Sequence, residues 1–260
     1  MLSLSILEEL GEPIGRFKYP DVKTFGEFID ALSSILDEAR FTITRDNLKV
    51  AGMDSSKVAY IEVSIPREAF LEFDIESDRE SIDMGFKLST LCEITAGKKG
   101  NPVEFRVLSD KVIIMIEGTI PRRFVLPNFE VQAEVLEVKL EHDVSATILS
   151  DVLKKALRDI ETVSDNVEIE AEENNITLRS TGEAGSKVSL TLTRDSAALI
   201  NLNVRSPAKA KYDISYIRKV LNLTKVADTI DIGFSTDKPL ELIFKSPDGS
   251  TVRYIIAPST

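Results

Sequence analysis

The sequence predicts an α+β fold of two similar domains, each an antiparallel β-sheet with its helices on one face. Three observations carry this expectation. Two strongly amphipathic helical stretches stand about 120 residues apart, each is followed by a run of short alternating strands, and the order of pieces after the first recurs after the second.

In "TFGEFIDALSSILDEA" the residues Phe25, Phe28, Ile29, Leu32, Ile35, Leu36 and Ala39 fall on one helical stripe. "RFTITRD" and "NLKVAGMD" then read as strands joined at Asp46 and Asn47, residue types that suit a tight turn. A polar block, 54–57, separates them from a third strand, "KVAYIEVSI". "FKLSTLCEITAG" reads as a short helix, and "NPVEFRVL" and "KVIIMIEGTI" as strands. In the second half, "TILSDVLKKALRDIETV" carries the stripe Ile148, Val152, Leu153, Ala156, Leu157 and Ile160. "NVEIEAEE", "NITLRSTGE" and "KVSLTLTR" follow as strands, then "YDISYIRKVLNLT" as a helix, then "DTIDIGFS", "PLELIFKS" and "TVRYIIAP". Between the halves "PNFEVQAEVLEVKLEHD" loses the pattern, and Pro127 and Asn128 mark a turn, so it reads as an extended connector. The expected organisation is an N-terminal extension at 1–16, a first domain at 17–126, a connector at 127–143 and a second domain at 144–260.

Packing the helices on one sheet face leaves their polar sides exposed together. Lys154, Lys155 and Arg158 lie off the stripe of the second-half helix, Arg218, Lys219 and Lys225 lie off "SYIRKVLNLTK", and Lys98 and Lys99 close the short helix of the first half. With 43 Asp and Glu against 32 Lys and Arg, the formal charge is −11, so a surface basic all over is excluded. Nucleic acid could meet only a local basic face, tracking phosphates without reading bases. The absence of tryptophan and the 7% aromatic content argue against a base-stacking platform. An ordinary solvated helix face is the alternative at this level.

Enzyme chemistry finds little footing. One histidine, His142, and one cysteine, Cys92, cannot supply a zinc set or an internal disulfide, and only His142 could serve a Ser/His/Asp arrangement. "GKKGN" (97–101) lacks phosphate-loop spacing and reads as a helix end and turn, and "STGEAGS" (180–186) reads as a hairpin loop. Strand alternation splays the carboxylates of "EIEAEEN" onto opposite faces. No enzyme activity, cofactor or metal is expected. No apolar run approaches the roughly 18 residues of a membrane span. The N-terminus meets Glu8 and Glu9 without the basic region of a secretory signal, and a lone cysteine suits a reducing compartment, so the cytoplasm is expected.

"MDSSKV" resembles the M-D-S-S-H-V segment of the proliferating cell nuclear antigen family of sliding clamps. "YIIAPS" is similar to that family's Y-Y-L-A-P-K ending, "LRSTGEAGSKVSL" to its F-S-A-S-G-E-x-G-x hairpin, and "TKVADTIDIGFSTDKPLEL" to its final helix and strand pair. The resemblance runs in register from about Phe17 to the C-terminus, and the brevity of several pieces matches archaeal members. It implies a non-catalytic ring of three subunits, identical or homologous, with helices lining a central hole and sheets outside. Such a ring encircles duplex DNA near the nucleoid, is placed there by a clamp loader, and tethers DNA polymerase, flap endonuclease and DNA ligase. The basic residues named above would then converge on DNA. Gly26, Glu27, Ser33 and Asn222 stand where many clamps carry basic residues, which raises the alternative of a clamp-like scaffold subunit that does not itself encircle DNA.

For partner motifs, the resemblance implies a pocket from Met53, Lys57, Val58 and Tyr60, the connector residues Val135 and Leu136, and Pro239, Ile255, Ile256, Ala257 and Pro258. An apolar Met at a surface edge suits a pocket that receives an apolar anchor. For ring closure it implies edge-strand pairing of 112–118, with Val112, Ile114 and Ile116, against 187–193 of the next subunit, with Val188, Leu190 and Leu192. Ser259 and Thr260 replace the family's basic tail, and the residues before Arg16 have no counterpart.

Overall fold

The computed structural model describes residues 12–97, 100–132, 135–136 and 139–259. Most of the expected N-terminal extension, Lys98, Lys99 and Thr260 therefore lie outside the described residues. The chain divides into two compact units, one within Met1–Ala51, Val63–Glu134 and Asp248–Ser250, the other within Gly52–Glu62, Val135–Pro247 and Thr251–Thr260. This differs from the expected linear boundaries because two short segments change sides. Gly52–Glu62 groups with the second unit, where the Ala257 N–H donates to the Val58 carbonyl at 2.9 Å. Asp248–Ser250 groups with the first, where the Tyr19 hydroxyl bonds to Asp248.

The first half runs β1 (Gly15–Tyr19), α1 (Val22–Ser33), β2 (Glu38–Thr44), β3 (Asn47–Met53), β4 (Ala59–Pro66), β5 (Glu72–Ile75), β6 (Ser81–Lys87), α2 (Leu88–Thr95), β7 (Val103–Val107), β8 (Lys111–Ile116) and β9 (Arg122–Pro127). The second repeats it element by element: β10 (Val144–Leu149), α3 (Ser150–Glu161), β11 (Asn166–Glu172), β12 (Asn175–Thr181), β13 (Lys187–Thr193), β14 (Leu199–Val204), β15 (Ala208–Asp213), α4 (Ile214–Arg218), β16 (Thr229–Phe234), β17 (Leu240–Lys245) and β18 (Thr251–Ile256). Strand order repeats as well. The run β5-β1-β7-β8-β9 matches β14-β10-β16-β17-β18, and β4-β3-β2-β6 matches β13-β12-β11-β15.

Several local expectations shift. The helical stripe of the first half ends at Ser33, where the Ser33 and Ser34 hydroxyls bond back to the Asp30 and Ala31 carbonyls. Ala39 therefore belongs to β2. Ile148 belongs to β10, whose backbone pairs with both β14 and β16. Gly15 and Arg16, expected in the extension, open β1 and pair with both β5 and β7. The stretch 112–118 was expected to be an edge strand, but β8 lies between β7 and β9, so its ladder groups are already engaged and Val112, Ile114 and Ile116 are buried. The margins of that sheet are β5 and β9, and β9 opens on Arg122 and Arg123 and ends on Pro127.

Each unit covers one sheet face with its helices. In the first, Phe17, Tyr19, Phe25, Phe70, Phe73 and Phe105 form one linked aromatic cluster, with neighbouring ring centroids 4.9–5.7 Å apart, joining β1, α1 and β7 to the segment that enters β5. In the second, Leu153, Ala156, Leu157 and Ile160 of α3 are buried over β10 to β13. The opposite sheet faces carry ion pairs. Glu104 on β7 accepts from Arg16 Nε at 2.6 Å and Arg106 Nε at 2.7 Å. Burial works against charge on Glu104, but the two guanidiniums outweigh it and hold its carboxyl below the usual range.

Because that value is lowered in the fold, the stabilisation is complete above the unfolded carboxylate range and is lost as pH falls through the folded value. The gap in thermal midpoint between the wild-type chain and Glu104→Gln is thus expected to be widest near neutrality and to close below about pH 4. Glu104→Ala should cost about 3 kcal/mol at pH 7 in denaturant unfolding, the lower end for breaking a buried pair, since both arginines keep access to water.

Candidate functional site

The residues expected to form the partner pocket come from separate parts of the chain, yet all fall in the second unit. The loop 54–58 between β3 and β4 is built around Asp54, whose side chain is 7% exposed by residue. Its Oδ1 accepts from the Val58 and Ala59 N–H groups at 2.8 and 2.7 Å, and its carbonyl accepts from the Lys57 N–H at 2.9 Å. Lys57 takes a left-handed backbone with φ 57°, which closes the turn. Ser55, Ser56 and Lys57 are exposed, while Met53 and Val58 flank the turn half-buried. The quoted motif is thus a carboxylate-pinned hairpin with apolar shoulders.

Tyr60 corrects its expected role. It is only 1% exposed, so its ring is core and cannot line an open pocket. Its hydroxyl donates to Glu62 Oε2 at 2.8 Å and lies near the Leu136 backbone. Burial raises its pKa, and the Glu62 bond adds to this. Ile256 is likewise buried at 1%, because β18 alternates and sends Ile255 to the other face. Val135 is exposed, and Leu136, Pro239, Ile255, Ala257 and Pro258 are half-buried. These residues, with Met53 and Val58, are the apolar surface that remains available.

The cationic residues of the second unit divide by environment. Lys155 and Arg158 on α3 are exposed, and among the described residues neither takes part in an ion pair. Lys154 donates to Thr224 Oγ1 at 3.2 Å, and Lys219 stands 4.6 Å from the Tyr216 ring centroid. Arg218 pairs with Glu161, which takes up much of its charge locally. Lys225 is exposed at the end of the 3-10 turn Leu221–Lys225. Lys98 and Lys99 lie outside the described residues.

In the first unit, Gly26 and Glu27 are buried, so these two positions are not on an exposed helix face. A Cβ at Gly26 would lie 3.3 Å from Thr95, which shows how closely α1 and α2 pack. The exposed α1 positions are Lys23 and Asp30.

Val188, Leu190 and Leu192 stand half-buried on β13, a margin strand as expected. In the first unit, the margin strand β9 exposes Arg122, Arg123 and Val125, the last at 51%. No group of His, Cys, Asp and Glu side chains among the described residues is suited to hold a metal, and no described helix is long and apolar enough to cross a membrane. Cys92 is half-buried with its sulfur 3.9 Å from the Ile29 carbonyl, and burial pushes its pKa up, as for a packed thiol.

Removing the buried Asp54 carboxylate strands two backbone donors. Asp54→Ala is expected to cost about 2 kcal/mol, readable by denaturant unfolding, with Asp54→Asn recovering part of it.

The family model described as Repair protein Rad1/Rec1/Rad17 matches residues 19–239. The chain is 45% identical over 246 residues to DNA polymerase sliding clamp 1 of Aeropyrum pernix, covering 94% of this chain and 99% of that protein. It is 32% identical to DNA polymerase sliding clamp 1 of Sulfolobus acidocaldarius, covering 94% and 98%. The crystal structure of PCNA from Thermococcus kodakaraensis superposes with a TM-score of 0.87 at 24% identity, covering 94% of this chain and all of that one, a likeness of fold. At this identity and coverage, the chain belongs to the DNA polymerase sliding clamp family.

Proposed function

We propose that the chain is one subunit of a three-subunit ring that encircles duplex DNA and tethers replication and repair enzymes through short peptide motifs. The observation that carries this reading is that Lys155 and Arg158 on α3 are exposed and, among the described residues, in no ion pair. In an acidic chain whose sheet-face arginines are engaged by carboxylates, Lys155 and Arg158 remain directed away from the buried stripe. A sequence-independent phosphate contact needs no more than such a face, and enclosure by a ring supplies the retention. The role requires no chemistry of its own and is exercised in the cytoplasm on nucleoid DNA, after a clamp loader has placed the ring.

The repeated plan supports head-to-tail closure. In the second unit β18 runs beside the start of β4, and by element order β9 is the counterpart of β18, and β13 of β4. Pairing β9 of one subunit with β13 of the next repeats a junction the chain already makes, and such a heterologous contact can close a ring. The partner subunits are identical or homologous clamps. Met53, Val58, Val135, Leu136, Pro239, Ile255, Ala257 and Pro258 receive the apolar anchors of DNA polymerase, flap endonuclease and DNA ligase, with Lys57 at the rim.

Reversing charge at Lys155 and Arg158 together is expected to shorten retention of the loaded ring on closed circular DNA roughly tenfold. Retention equal to wild type would overturn the DNA-facing assignment and favour a scaffold that does not embrace DNA. Met53→Ala or Leu136→Ala should each weaken a polymerase-derived motif peptide by about 1–2 kcal/mol in calorimetry. Unchanged affinity in both would remove the docking surface from this part of the molecule.

A further inference from the structure

In the second unit, β15 is a margin of the sheet β13-β12-β11-β15, and a bare margin leaves backbone N–H and C=O groups without partners. Here turns and the tail take them up. The Lys209 N–H donates to Thr236 Oγ1, and the Lys209 carbonyl accepts from the Asp237 N–H, both at 3.3 Å. The Lys211 carbonyl accepts from the Ser259 N–H at 2.7 Å. From the same strand the hydroxyl of the buried Tyr212 donates to the Lys238 carbonyl at 2.8 Å. Two segments of the surface described above thus rest on one strand: the turn 235–239 between β16 and β17, which ends on Pro239, and residues 257–259 after β18.

The tail has a second fastening. Ser259 Oγ donates to Asn166 Oδ1 at 3.0 Å, and Asn166 opens β11 in register with Asp213 of β15. The acceptor is itself held, since the Asn166 carbonyl accepts from Ser180 Oγ at 2.6 Å and its N–H donates to Ser164 Oγ at 3.2 Å. On the other side of Pro258, the Ala257 N–H donates to the Val58 carbonyl at 2.9 Å. Proline has no N–H of its own, so the bonds of its two neighbours decide where it stands.

The first unit repeats the device. β6 is the counterpart of β15, and the residue that follows β9, Asn128, lies against it. Asn128 Oδ1 accepts from the Gly85 N–H at 3.0 Å, and Nδ2 donates to the Asp83 carbonyl at 3.2 Å. In both halves, then, the chain leaving the last strand is fastened to this margin.

We infer that the margin of β15 frames the C-terminal part of the docking surface, and that Ser259 is the positioning residue that fastens Pro258 to it beside Ala257. The inference rests on the docking surface proposed above. A partner's apolar anchor then meets side chains whose backbone is already fixed, and less conformational freedom is lost on binding. Ser259 acts through its neighbours and needs no contact with the partner.

Hydrogen exchange and calorimetry on the full chain test this. Ser259→Ala and Asn166→Ala are each expected to speed exchange of the amide at position 259 roughly tenfold, with the amides of β16 and β17 unchanged. The double variant should lose no more than either single one, because the two side chains share one bond. Ser259→Thr keeps the hydroxyl and should restore the protection. Affinity for a polymerase-derived motif peptide should fall roughly threefold in Ser259→Ala and recover in Ser259→Thr. Unchanged exchange at position 259 in both single variants overturns the fastening. Faster exchange with wild-type peptide affinity overturns its part in docking. If Asn166→Ala fails to fold, Ser259→Ala decides, since it keeps the backbone bond to Lys211. If the wild type binds no peptide, the docking surface falls, and the exchange measurement alone decides whether Ser259 fastens the tail.

Discussion

A strand at the margin of a sheet leaves part of its N–H and C=O groups without a partner, and the repeated plan of this chain creates that problem at matching places in both halves. β9 and β18 end one kind of strand run, and β4 and β13 end the other. For β18 and the start of β4, the second unit supplies the answer, with the Ala257 N–H bonded to the Val58 carbonyl. The same pairing brings the hairpin loop after β3 beside the C-terminal residues. The apolar shoulders Met53 and Val58 are thereby neighbours in one unit with Ala257 and Pro258, although some 200 residues of chain separate them. A ring built on the counterparts β9 and β13 is the economical extension of that junction.

Charge follows a similar division of labour. On the sheets, carboxylates sit between basic side chains: Glu104 between Arg16 and Arg106, Glu168 between Arg179 and Lys209, Glu241 between His142 and Arg253. In each case burial opposes the charge, and the paired basic side chains outweigh it and keep the carboxyl below its ordinary range. The net −11 therefore overstates how acidic those faces are locally, because their carboxylates are matched in place. Lys155 and Arg158 of α3 gain significance from this contrast, since among the described residues neither takes part in an ion pair.

Polar groups stand beneath the surface proposed for docking. Asp54 closes the loop beside Met53, the Tyr60 hydroxyl lies near the Leu136 backbone, and Glu241 bonds to the His142 ring. Asp54 and Tyr60 are buried, whereas Met53, Val58 and Leu136 stand half-buried. If partners dock there as proposed, the anchor residues can vary while the loop frame is kept by hydrogen bonds of fixed direction.

Much of this was legible in the sequence. The helical stripe of Leu153, Ala156, Leu157 and Ile160, the hairpin at Asp46, the helix end at Gly97 and the two-half plan all follow from periodicity and turn chemistry, which act over a few residues. The motif resemblance likewise led to the family. Other features required the tertiary structure. Alternation marks which face of β8 is apolar but not whether β9 will cover its edge, and it could not assign Tyr60 to the core or show that Gly26 faces Thr95. The pairing of Arg218 with Glu161 and the seat of His142 on Gly233 join residues 57 and 91 positions apart. Local pattern determines what a segment prefers to be, whereas edges, seats and ion pairs are decided by which distant segment arrives beside it, and that depends on the packing of the whole unit.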